Sequence, residues 1–244
     1  MNKYALIKDL IMTTLRGGIN FFENGLTTSI RAMHLQTEIF GVINENYNSF
    51  DKVGYQRKDP VVSSFAEWIG THALSTALDD SIGRIGHSDN PLDLAIANKG
   101  YFQYQSPDGI KITRDGRFKI DKDGNLLTLE NAHVLANDGT PIRLHIVPEK
   151  LEDVKVYKNG DIRIFNKATN QLEYVATLSV VTNEGVAVLD PNIKQGFNEY
   201  SNVSLNSEIL QIIPVKRNFE ANRQLFIMQN NNLSRAIQSL SSTS

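Results

Sequence analysis

Cysteine is absent from the 244 residues, which excludes disulfides, thiolate metal sites and a cysteine nucleophile. Charge of one sign is not in excess either. The 25 basic and 27 acidic side chains leave a formal −2, too weak a field to hold nucleic-acid phosphates or an anionic membrane surface. No run approaches the roughly 20 consecutive apolar residues that a bilayer span requires. The best signal-peptide candidate, residues 4–12, is interrupted by Lys8 and Asp9 and lacks a small-residue cleavage site, so no cleaved Sec signal is expected. What the chain does have is 41% apolar residues, enough for a core, and a length that fits one elongated domain or two small ones.

Both ends of the chain carry apolar residues spaced by seven. Ile19, Leu26, Met33, Phe40 and Tyr47 form one row, with Phe22, Ile43 and Phe50 at the interleaved position. This is the pattern of a helix with a coiled-coil seam, although Ser29 and Gln36 sit where apolar residues would be expected. Leu205, Ile212, Phe219, Phe226, Leu233 and Leu240 repeat the interval near the other end and predict one long helix, kinked at Pro214. Lys216, Arg223 and Asn230 interrupt its companion row; they set register against a neighbour or face solvent.

The middle of the chain follows a different rule. Asp-Gly or Asn-Gly pairs recur at Asp108-Gly109, Asp115-Gly116, Asp123-Gly124, Asp138-Gly139 and Asn159-Gly160, a spacing that predicts hairpin turns. Alternating strand-like segments lie between them at 101–105, 110–113, 118–120, 126–129, 154–157, 161–165 and 174–181. The expected fold is therefore α+β, mainly β at its core, with long N- and C-terminal coiled-coil-type helices flanking a compact antiparallel β domain. The expected division is a helical segment at 1–57, a connector at 58–90 that holds Trp68, a β domain at 91–195, and a C-terminal motif and long helix at 196–244. Each terminal stripe needs a partner, found either within the chain or between subunits.

Catalytic patterns are missing. The five histidines, His34, His72, His87, His133 and His145, show no i, i+4 pair and no HExxH arrangement, and are read as solvated or locally paired. No Ser stands in a G-x-S-x-G elbow, and neither a P-loop nor a dinucleotide fingerprint occurs. Asp121-Lys122-Asp123-Gly124-Asn125 imitates the opening of a calcium loop, and Glu130 even stands six residues past Gly124. The flanking helices of that motif are lacking, so a hairpin turn is the better reading. No catalytic residue, metal or cofactor is expected.

The segment "NPLDLAIANKGYFQ" at 90–103, followed by "TRDGRFKIDKDGNLLT" at 113–128, resembles the central region of bacterial flagellar basal-body rod proteins. Asn90, Pro91, Leu92, Asp93, Gly100, Arg114 and Gly116 carry that likeness. Toward the C-terminus, Gln195 and Gly196, Ser201, Asn202 and Val203, Glu208, Arg217, Phe219, Glu220 and Asn222 fall on the family's last motif. Near the N-terminus Met33, Val42, Ile43, Asn46, Gly54, Tyr55 and Arg57 agree with the family segment, while Glu45, Ser49, Asp51 and Val53 depart from it. About 25 residues precede the usual start, with Leu6, Ile7, Leu10 and Ile11 on a short amphipathic pattern.

The resemblance implies a noncatalytic building block of the periplasmic drive shaft, polymerising through its terminal helices into a hollow tube with the β domain outward. Its partners would be copies of itself, other rod and hook-side axial proteins, and the flagellar type III export apparatus, which delivers subunits without a cleaved signal. Only 32 residues separate Arg57 from Asn90, and the family's distal subunits usually have more there, so the proximal type is expected. The alternatives are a distal rod subunit, or a rod-like filament or adhesin protein outside the flagellum.

Overall fold

The computed structural model describes residues 3–63 and 74–241, with side-chain environments in the first helix given from Gly25 onward. Trp68, His72, the side chains of Ile19, Phe22 and the N-terminal extension, and residues 242–244 lie outside the described residues. The fold is mixed α+β: two long terminal helices, packed together, flank several small antiparallel sheets. Contacts divide the chain into two units. One comprises Met1–Glu45, Pro60–Ala77 and Asn206–Ser244, and the other Asn46–Asp59 and Leu78–Leu205.

Helix α1 spans Lys3–Asn48 and helix α2 spans Leu205–Ser241, running through Pro214 without a break. They meet closely at Gly25, where an added Cβ would stand 2.7 Å from Gln229 Nε2. Gly25 lies 23 residues before the end of α1, and Gln229 lies 24 residues after the start of α2. An isolated bridge between Val53 and Tyr200 keeps those two ends together, so equal lengths of helix, about 35 Å at 1.5 Å per residue, separate the junction from the contact. The pair is antiparallel and in step.

The less exposed row on α1 is Gly25, Ser29, Ala32, Gln36, Ile39 and Ile43, and on α2 it is Glu208, Ile212, Val215, Asn222, Phe226 and Gln229. Both rows recur at three- and four-residue steps, with one seven-residue step from Val215 to Asn222, the spacing of one helix face. Several of these residues are small or polar. Ser29, at 4% exposure, turns its hydroxyl back to Gly25 O at 3.0 Å.

The strands are short: β1 Lys58–Val62, β2 Leu74–Leu78, β3 Ile85–His87, β4 Leu94–Ile96, β5 Tyr101–Ser106, β6 Gly109–Thr113, β7 Phe118–Ile120, β8 Leu126–Thr128, β9 His133–Val134, β10 Val154–Val156, β11 Asp161–Asn166, β12 Gln171–Thr177, β13 Val180–Val181, β14 Ile193–Gln195 and β15 Phe197–Glu199. Their largest sheet runs β13-β5-β9-β8-β7, with β6 paired to β5. A second sheet is β10-β11-β12, and the pairs β14-β4, β15-β3 and β1-β2 complete the set. Alternation decides which side chains face inward. Ile162 and Ile164 are buried while Arg163 and Phe165 between and beyond them are not. Leu94, Ile96, Phe102, Phe118, Val134, Ile142, Ile162, Ile164 and Ile193 belong to one core, in which the Phe102 and Phe118 rings meet edge to face at 5.1 Å, a favoured aromatic geometry.

Four of the five Gly turns act as expected. Gly109, Gly124, Gly139 and Gly160 have φ between +81° and +122°, where a Cβ would strain the backbone. Asp115-Gly116 does not close a hairpin, because it joins β6 to β7, which belong to different strand pairs. Gly116 is required by close approach instead: a Cβ there would lie 1.8 Å from Leu94 O.

Candidate functional site

The family-type motif residues gather mainly in the sheet unit, around the two places where the chain leaves α1 and returns toward α2. Asn46, in the last turn of α1 and fully buried, brackets Lys58 as a strand would. Its Nδ2 donates to Lys58 O at 2.8 Å, and its Oδ1 accepts Lys58 N and the Tyr55 hydroxyl, each at 3.0 Å. Gly54 has φ +70°, and a Cβ on it would lie 2.3 Å from Asp115 N. Arg57 N donates to Asn202 Oδ1 at 2.7 Å, while Asn202 Nδ2 donates to Asp79 O and Ser81 O at 2.9 and 3.0 Å. One asparagine thus ties three chain segments together.

Asp93 anchors a second knot. Its carboxylate accepts Asn90 Nδ2 at 2.8 Å, Ser88 Oγ at 2.6 Å and Asn198 Nδ2 at 2.7 Å. Asn90 Oδ1 also accepts Leu92 N, an Asx turn that lets Pro91 follow without a lost donor. Gly196, at φ +75°, donates its N–H to Asp93 O at 2.8 Å. Gln195 donates to Pro91 O and Val154 O, both at 2.8 Å, and accepts Val156 N. Ser201 Oγ accepts Val203 N at 3.2 Å just ahead of α2. These side chains stand in for backbone partners where the sheets are too short to pair every group.

Between the knots lies a buried ionic cluster. Arg114 donates through Nη1 to Asn98 O and Gly100 O, and through Nη2 to Ile96 O. Its Nη2 is 2.6 Å from Glu199 Oε2, and Glu199 Oε1 accepts Gly83 N at 2.9 Å. The Tyr101 hydroxyl reaches Gln56 Oε1 at 2.6 Å and Asp80 Oδ1 at 2.8 Å. Burial, followed by the Asp80 carboxylate, pushes the Tyr101 phenol up to about 12. A cavity of about 230 Å³ opens beside this cluster. Glu199, Gln56 and Asp80 carry as much of this network as the motif residues do, yet no periodicity marks them, because a buried polar group is recognised only by its partners.

The calcium-loop mimic is occupied by its own turn. Asp121 Oδ1 accepts Asp123 N and Asn125 N, and Oδ2 accepts Asn125 Nδ2; the Asn125 amide holds the Asp121 carboxyl below its ordinary value. His34, His87 and His145 sit 3.6, 3.8 and 3.3 Å from Glu38, Asp89 and Glu173.

On the helices, Leu26 and Met33 are half-buried, whereas Phe40 and Tyr47 are 46% and 41% exposed. Leu205, Ile212 and Phe226 are half-buried, Phe219 and Leu233 are exposed, and Leu240 is 73% exposed. Glu208 is wholly buried. Arg217 and Glu220 are exposed, as are Lys216, Arg223 and Asn230, and Asn222 Nδ2 donates to Asn218 O. Further apolar side chains face outward on α2, among them Leu210, Leu225 and Met228. The helix pair thus presents apolar faces outward and a partly polar seam inward.

Comparison with known proteins matches these two regions separately. Residues 95–164 match the family described as flagellar hook protein FlgE/F/G D1 domain, and residues 194–239 match the flagellar basal body rod FlgEFG protein C-terminal family. Among similar proteins, the flagellar basal-body rod protein FlgF of Mesorhizobium japonicum is 31% identical, over 86% of this chain and 92% of its own length. FlgF of Caulobacter vibrioides is 32% identical over 82% and 90%. The flagellar basal-body rod protein FlgG of Bacillus subtilis is 26% identical over 79% and 89%.

Proposed function

The chain belongs to the flagellar basal-body rod FlgF/FlgG family, a structural and non-enzymatic one, and we propose that it is a proximal-type subunit whose outward helix faces build the wall of the rod. The observation that carries this reading is the outward placement of apolar side chains on both helices: Phe40 at 46%, Tyr47 at 41%, Leu225 at 46% and Met228 at 57% exposure. Large exposed apolar patches mark association surfaces. Each such side chain taken from water contributes about 1.5–3 kcal/mol before ordering costs, so several together drive polymerisation against the entropy of fixing the helices.

In this reading Ile19, Leu26, Met33, Phe40 and Tyr47, with Leu205, Ile212, Phe219, Phe226, Leu233 and Leu240, form the helix-packing interface, Ile212 and Phe226 on the inner row of the pair and the exposed Phe40, Tyr47, Phe219, Leu233 and Leu240 toward neighbouring subunits. The asparagine and glycine knots fasten the segments of the sheet unit to one another. The sheet unit lies on the outside of the tube, and the subunit reaches the periplasm through the flagellar export apparatus. No described helix is long and apolar enough to cross a membrane.

The short stretch between Arg57 and Asn90 supports the proximal type. Peptide mass spectrometry of purified hook–basal bodies tests it through copy number. The proximal reading predicts this chain at a fraction of the distal rod subunit's amount; an amount equal to or above every other rod protein overturns it.

A further inference from the structure

The outer face of the β10-β11-β12 sheet carries an unusual cross-strand pair. Lys155 on β10 stands directly opposite Arg163 on β11, and like charges placed so are destabilising unless a counter-charge lies between them. Neither makes an ion pair among the described residues, although Asp161, two residues before Arg163 on β11, interacts with it electrostatically, and Arg163 Nε is shielded from solvent without a hydrogen-bond partner. Tyrosines flank the cations. The Arg163 guanidinium lies 5.2 Å over the Tyr157 ring, Arg163 is registered opposite Tyr174, and Phe165 opposite Leu172. Tyr157, Tyr174 and Leu172 are 43%, 54% and 41% exposed. The face is therefore aromatic, cationic and uncovered.

The same unit carries a segment of opposite character. Between β13 and β14 a tight turn, closed by Thr182 N to Val186 O at 2.8 Å, leads into a loop that exposes Val186 at 63% and Leu189 at 94%. Both are bracketed by the exposed carboxylates of Glu184 and Asp190. A fully exposed leucine between two acids has the size and charge to complement a tyrosine pair beside two cations.

We propose that the 184–190 loop of one copy docks on the Tyr157–Arg163–Tyr174 face of the next, with Leu189 against the tyrosines and Glu184 and Asp190 toward Lys155 and Arg163. The contact is heterologous, since two different patches meet, and repetition of such a contact generates a ring or an open helical array rather than a two-fold dimer. Its biological place rests on the rod reading above. The carboxylates add to the charge of Asp161, which lies two residues before Arg163 and interacts with it within the chain, and burial of Leu189 supplies the apolar contribution.

The chain has no native cysteine, which makes disulfide trapping specific. Two differently tagged full-length chains, one with Tyr174→Cys and the other with Leu189→Cys, are expressed together in the motile cell and oxidised in place. A mixed disulfide dimer is expected from this pair and not from Tyr174→Cys with Asp108→Cys. Lys155→Glu and Arg163→Glu on the first chain should lower the yield about threefold, as expected for exposed ion pairs, and Glu184→Lys with Asp190→Lys on the second should restore it. No mixed dimer, an equal yield at position 108, or no response to charge reversal overturns the contact. A mixed dimer formed by a chain absent from purified basal bodies would keep the contact and sink the rod reading.

Discussion

Arg114 and Glu199 form an ion pair with 2.6 Å between Nη2 and Oε2, and their side chains are only 2% and 3% exposed. Such a pair is better tolerated in a core when its remaining polar atoms are occupied. Here the guanidinium reaches the carbonyls of Ile96, Asn98 and Gly100, and the carboxylate takes the Gly83 N–H, while Arg114 Nε is buried without a hydrogen-bond partner. The pair fastens the end of β15, a few residues before α2, to the segment that follows β4. A sheet unit this rich in short strands needs such a fastening point, because few ladder bonds cross between β4 and β15.

Removing one partner leaves the other as an uncompensated buried charge. Arg114→Ala should destabilise the sheet unit by about 3–5 kcal/mol, read as a lower urea midpoint in the purified protein. Arg114→Met combined with Glu199→Leu should cost less than the single change. A single substitution that leaves the midpoint unmoved would contradict the assignment.

Gly116 is a steric requirement. A Cβ would stand 1.8 Å from Leu94 O and 2.9 Å from the Phe102 ring, so the backbone of β4 must move to admit it. Gly116→Ala should lower stability by about 1–3 kcal/mol, the usual range for overpacking. Gly139→Ala serves as a comparison, since open space surrounds that position and only its φ of +81° opposes a side chain. Equal thermal shifts for the two variants would contradict the close-approach account.

Tyr101 predicts an alkaline transition. Its phenol is pushed up to about 12 from an ordinary value near 10, first by burial and then by Asp80, so the folded state holds the proton more tightly than the unfolded state does. The stabilisation is complete below pH 10 and is lost as pH rises through 12. The melting temperature of the unsubstituted chain should fall over that window more steeply than that of Tyr101→Phe. Parallel curves would remove Tyr101 from the account.

The hairpins β5-β6, β7-β8 and β10-β11 were legible because each closes over a local Asp-Gly or Asn-Gly pair whose glycine has positive φ. Pairing of β3 with β15 and β4 with β14 was not, since it joins segments about 100 residues apart with no turn between them to signal it. Asp115-Gly116 has the composition of a turn and serves a steric purpose, a difference that depends on where Leu94 lies. On α1, the apolar row Leu26, Met33, Phe40 and Tyr47 and the less exposed row Gly25, Ser29, Ala32 and Gln36 are neighbours on the helix surface and not the same row. Hydrophobicity reveals a face that needs covering; it does not say whether the cover belongs to the same chain. The knots around Asn46, Asp93 and Asn202 were visible as family-type residues, but their purpose appears only once Lys58, Asn198 and Arg57 are in place.

The most direct test of the account is incorporation of the full chain into purified hook–basal bodies, compared with a chain carrying Leu225→Asp and Met228→Asp on the outward face of α2. The account predicts that the unsubstituted chain is present and that the doubly substituted chain, expressed at the same level, is at background, while its sheet unit keeps its urea transition. Equal incorporation of both chains would contradict assembly through the outward helix faces, and absence of the unsubstituted chain from basal bodies in which the other rod subunits are detected would contradict a role in the rod.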